Sequence, residues 1–158
     1  MENKNTRTSI RAPRMNTAEG IEELSGEIVL LDFKRAGRTM AECKADPSIC
    51  AAEKALRERL RAFIRERLEM GAGRNRVDTE HTTDEEAAGL VAHDLFDQYC
   101  EEIMLAESMH EAPEDYCEMY LTVDEVIEAG DEIMEHCQNV MNLAKWLWRC
   151  SNLGMEVL

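Results

Sequence analysis

Apolar residues recur at steps of three and four along most of this chain. From about 17 to 36, Ile21, Leu24, Ile28 and Leu31 form a stripe, and Gly37 supplies the stop. A short helix from about 40 to 45 is expected next. Asp46-Pro47 reads as a cap and first helical position. The helix it opens is expected to run to about 70, with Ile49, Ala52, Leu56, Leu60, Phe63 and Ile64 on one side. Lys54, Arg57, Arg61 and Arg65 line the other side. Gly71-Ala72-Gly73 ends it, and residues 71 to 82 form a polar connection.

A fourth helix is predicted from about 84 to 110. At 100° per residue, Val91, Leu95, Phe96, Tyr99, Ile103, Ala106 and Met109 gather on one side. Glu86, Asp94, Asp97, Glu101 and Glu111 gather on the other. Pro113 forces a break, with a helical turn over 114 to 120. The last helix is predicted from about 123 to 150, with a broad stripe that includes Val126, Cys137, Val140, Ala144, Leu147 and Trp148. Gly130 falls on that stripe, where it allows close helix approach. Four capping-box pairs punctuate these elements: Asn16 with Glu19, Thr39 with Glu42, Thr83 with Glu86, and Thr122 with Glu125. No segment alternates as a strand does. The pattern predicts an all-α, compact bundle of four to five main helices.

Length fits this reading, since 158 residues suit one domain with a sizeable core. That domain is expected to begin at about residue 16. Residues 1 to 15, with Lys4, Arg7, Arg11 and Arg14, read as a mobile basic arm. No apolar run is long enough to span a membrane, and no secretory leader is visible. The expectation is a soluble, cytoplasmic protein. Its six cysteines include no C-x-x-C and read as free thiols.

Charge changes the picture most. Residues 1 to 76 hold 16 Lys/Arg and 12 Asp/Glu. Residues 77 to 144 hold 20 Asp/Glu and no Lys or Arg, so the domain divides into a mildly basic half, 16 to 76, and a strongly acidic half. Such a field repels nucleic acid and attracts basic surfaces. The acids expected to face outward, as partner-binding residues, are Asp94, Asp97, Glu101, Glu111, Glu114, Asp115, Glu118, Glu125, Glu128, Asp131, Glu132 and Glu135. Trp146 falls with Asn139, Asn142 and Arg149 on the polar side of its helix. An exposed Trp there would be an interface anchor.

Candidate chemistry is thin. Glu107 and His110 make one E-x-x-H step, with Cys117 seven residues on. A di-metal bundle needs two such steps and two more inward glutamates. Glu132, Glu135 and His136 do not repeat the spacing. No phosphate loop or nucleophile elbow occurs. The expectation is therefore a non-enzymatic protein without metal or cofactor, which binds a basic surface of a partner protein.

In charge, size and helicity the chain resembles the small DNA-mimic inhibitors that phages direct against restriction and CRISPR enzymes. It shares no motif with them. The resemblance implies that the carboxylates occupy the nucleic-acid groove of a nuclease or CRISPR complex. The alternatives are an acidic adaptor (an immunity protein, antitoxin or chaperone) and a metal-binding bundle using His110. Dimerisation through the long last helix is open as well.

Overall fold

The computed structural model describes residues 15–71, 82–119 and 122–153, and every regular element among them is helical. In chain order these are α1 (Ala18–Arg35), α2 (Met40–Ala45), α3 (Pro47–Glu69), α4 (Asp84–Glu111), a 3-10 turn (Pro113–Tyr116) and α5 (Val123–Leu153). The expected basic arm lies outside the described residues except for Met15. That residue is tied down: its N–H donates to Glu66 at 2.9 Å.

Local chemistry sets most boundaries. Thr39 and Thr83 each accept from the backbone N–H three residues on, while Glu42 and Glu86 reach back to the cap N–H. Asp46 accepts from Ser48 and Ile49, and Pro47 takes the first position, where its missing N–H is not needed. The cap hydrogen bonds hold the carboxyls of Glu42 and Glu86 below the usual range. Arg38 does the same to Asp46, pairing with it at 2.8 Å. Depressed carboxyls stabilise the fold above their ordinary values of 4.5 and 3.8, and that contribution disappears as pH falls through the lower folded values.

Three expectations need correction here. The cap of α1 is Thr17, which accepts from Gly20, and not Asn16. Asn16 turns to α3, donating to Glu66 at 2.8 Å and to the Phe63 carbonyl. At Thr122, the hydroxyl accepts from the Glu125 N–H and itself donates to the Glu125 carboxylate at 3.1 Å. The turn after α4 is a 3-10 helix over 113–116, shorter and earlier than expected.

Four long helices close a ring. Cross-helix contacts give their directions. Gly89 meets Ser151 and Gly130 meets His110, so α4 and α5 form an antiparallel hairpin, the most extensive helix contact in the fold. Arg35 pairs with Glu53 and Arg59 with Glu27, so α1 and α3 are antiparallel too. Asn142 of α5 donates to the buried Ser25 of α1 at 3.0 Å. On the remaining side, Arg61 and Arg67 of α3 meet Asp84 and Asp94 of α4, so these two advance in the same sense.

Leu24, Leu60, Phe63, Ala88, Val91, Ala92, Leu95, Val140, Leu143 and Leu147 are fully buried in one cluster. Alanines at two of those positions, Ala88 and Ala92, let α4 approach its neighbours closely. Burial of each larger side chain contributes about 1.5–3 kcal/mol.

Arg67 is the one charged residue buried in this interior, at 9% exposure among the described residues. It donates to Asp94 at 2.7 Å, to Asn16 at 3.2 Å and to Gln98. Removing it leaves three half-buried acceptors without that donor. Arg67→Ala should lower unfolding free energy by roughly 1–3 kcal/mol in urea titration, since three half-buried acceptors lose hydrogen bonds from a charged donor. Arg61→Ala, at an exposed 3.9 Å pair, should change it by under ~1 kcal/mol.

Candidate functional site: an acidic helical hairpin

The hairpin of α4 and α5 runs on past the start of α1. Ala18, Glu19 and Glu22 of α1 already sit opposite Glu132, Glu135, His136 and Asn139, around a cleft of about 200 Å³. Among the described residues, the outer end of the hairpin has only itself to pack on. Its buried side chains (Ala106, Met109, Pro113, Val126) lie outside the main cluster.

Backbone proximity holds that end together. A Cβ on Gly130 would lie 2.8 Å from the His110 ring and 3.4 Å from the Ala106 carbonyl. The His110 ring is fixed in place, with Nε2 at 3.0 Å from Asp131 and 3.3 Å from the Ile127 carbonyl. A second link follows one helical stretch inward: His136 lies 3.5 Å from Glu102, which also accepts from Gln98.

Eleven of the twelve expected acids are exposed: Asp97, Glu101, Glu111, Glu114, Asp115, Glu118, Glu125, Glu128, Asp131, Glu132 and Glu135. Among the described residues, no Lys or Arg forms an ion pair with any of these. The twelfth, Asp94, is corrected. It is only half-exposed and turns to Arg67, because α3 covers that side of α4.

Trp146 is corrected as well. It is 1% exposed, whereas Trp148, expected in the core, is 45% exposed. Over its last turns α5 is covered by α1 as well as α4, and the covered arc widens to include Trp146. Its ring lies beneath two guanidiniums, Arg35 at 5.9 Å and Arg149 at 5.8 Å, within cation–π range. Its indole N–H finds no acceptor among the described residues.

Sequence reasoning also missed Arg67. Its signal was available, as the basic residue three steps from Ile64 on the apolar side of α3. It missed the exposed apolar residues set among the acids: Met104, Leu105, Met119, Val123 and Ile127.

The E-x-x-H step does not assemble a metal site. Glu107 faces solvent while His110 turns to Gly130, and the Cys117 sulfur lies 3.7 Å from the Pro113 carbonyl. Among the described residues, no group of three or more His, Cys, Asp or Glu converges as ligands would. No disulfide joins the cysteines, and burial pushes the thiols of Cys137 and Cys150 up to about 11, which keeps them neutral.

No described helix is long and apolar enough to cross a membrane. Comparison with known proteins finds no matching family model, no similar curated protein and no similar solved structure.

Two outcomes test this geometry. Gly130→Ala should destabilise by about 1 kcal/mol, because the clash with the held ring outweighs the helix-propensity gain. In the His110→Ala background the same change should instead stabilise, a sign reversal that a double-mutant cycle by chemical denaturation would record. In native protein, a thiol reagent should modify Cys50 and Cys100 first, Cys43 and Cys117 more slowly, and Cys137 and Cys150 only on unfolding.

Proposed function

We propose that the protein binds a basic surface of a partner protein through the exposed carboxylates of the α4/α5 hairpin. It has no catalytic role in this reading. One observation carries it: a helical arm, extended beyond the bundle core, bears exposed acids with no basic side chain of its own to neutralise them.

Spacing supports the mimicry form of this reading. Asp124, Glu125, Glu128, Asp131, Glu132 and Glu135 lie within twelve residues of α5. At about 1.5 Å per residue that is roughly one charge per 3 Å of helix axis. One strand of a DNA duplex presents about one per 3.4 Å. A groove whose Lys and Arg are placed for phosphates would meet a similar charge density here. Met104, Met119, Val123 and Ile127 add apolar area of the kind found at the centre of interfaces. Trp146 takes no part in this reading, and Asp94 serves the fold.

The experiment is capture from host extract at low salt, followed by salt and competitor titrations. Binding should weaken steeply as salt rises, because carboxylate–cation attraction is screened. Duplex DNA or RNA should displace the captured partner. Combined Glu125→Lys, Glu128→Lys and Glu132→Lys should lower affinity at least tenfold while the helical signal stays constant. Affinity indifferent to salt would rule out the electrostatic reading. A salt-sensitive partner that no nucleic acid displaces would instead favour the adaptor class.

A further inference from the structure

The outward side of α1 is unusual in the opposite way to the hairpin. Val29 is 54% exposed, Leu30 55% and Phe33 78%. At 100° per residue these three flank one line along the helix, and Gly26 lies on the same line one to two turns earlier. A Cβ built on Gly26 would meet nothing within 4 Å, so the position is an open shallow seat and not a close approach inside the fold. An apolar patch of this kind on a soluble helix marks an interaction surface.

The stripe is also self-complementary. Its knob, Phe33, lies seven residues from its seat, Gly26, and Val29 and Leu30 fall midway. Two copies of α1 laid antiparallel about a twofold between Val29 and Leu30 would seat each Phe33 on the partner's Gly26. The same flank then meets the same flank, as a twofold requires. On the Leu30 flank, that register sets Glu23 of one copy opposite Lys34 of the other, twice. Glu23 is exposed, and its internal contact to Arg59 is a loose 3.5 Å. Among the described residues, Lys34 is held only by Ser48, at 3.3 Å on the surface.

We propose that α1 is the contact face of a symmetric homodimer, with Phe33 seated on Gly26 and Glu23 paired with Lys34 across the twofold. The occupant is a second copy, because knob, seat and opposite charges all come from one helix in a single register. This differs from dimerisation through α5, most of whose apolar stripe is buried inside the bundle. It is independent of what the hairpin binds.

Sedimentation equilibrium of the full chain, over a hundredfold concentration range, tests it. The expected mass rises from 18.0 kDa towards twice that value. Phe33→Glu should raise the dimer dissociation constant at least tenfold. Gly26→Leu should do the same by filling the seat. Both positions are exposed, so circular dichroism and melting temperature should hold or rise. Glu23→Lys and Lys34→Glu should each weaken the dimer, and the two together should restore it. A chain that stays at 18.0 kDa throughout would overturn the proposal, and so would a dimer that ignores Phe33→Glu and Gly26→Leu. Failure of the double charge swap to restore association would overturn the antiparallel register.

Discussion

Arg67 joins the two helical pairs on the side where α3 meets α4; on the other side α1 lies along α5. α1 with α3, and α4 with α5, are each antiparallel pairs that could close on themselves. Between α3 and α4 the contact is smaller, and its centre is a guanidinium reaching from α3 to Asp94 and Gln98 of α4. The same group takes Asn16, so it also fixes where the chain arrives before α1. A planar, five-donor group suits three acceptors from two directions better than an ammonium would. The acidic helix is thereby anchored by one of the few positive charges near it, and Asp97, Glu101, Glu107 and Glu111 are left exposed to solvent.

That division explains the shape of the charge distribution. The bundle core uses ordinary amphipathic packing and asks nothing of the outward acids. The hairpin beyond it is held by close approach at Gly130, by buried Ala106, Met109 and Val126, and by the contacts of His110 and His136, with no Lys or Arg pairing among the described residues. Repulsion among the outer carboxylates is spread over a long, well-solvated surface, where each pair at helical spacing opposes folding by only a few tenths of a kcal/mol. Most of the backbone there is satisfied within the helices. Apart from Asp131 and Glu125, which bond His110 and Thr122, the outward acids make no contact that holds the hairpin among the described residues, which is what makes a role in recognition the natural one to test.

Much of this was legible in the sequence because amphipathic spacing and capping chemistry are local. Thr39, Asp46 and Thr83 mark their helix starts within a residue, and Gly130 sits where a helix must come close. The errors at Asn16, Asp94 and Trp146 are long-range. Asn16 could cap α1 as well as Thr17 could, and its place is settled by Glu66, fifty residues away. Asp94 looks like its neighbours until α3 is laid against it. Trp146 and Trp148 exchange places because a wheel assumes one buried direction along a helix, whereas α5 is covered by α4 and the 3-10 turn at its start and by α4 and α1 at its end. The exposed Val29, Leu30 and Phe33 follow the same logic: nothing in their own helix says that no other element covers them.

The run without Lys or Arg has a chemical consequence of its own. A protease that requires a basic residue at the cut finds no site between residues 77 and 144, folded or unfolded. Nor does that stretch offer a side-chain amine, so enzymes that acylate lysine, or attach a protein tag to it, have nothing there to modify. The surface proposed to meet a partner is thus, by composition alone, closed to two common routes of control and turnover.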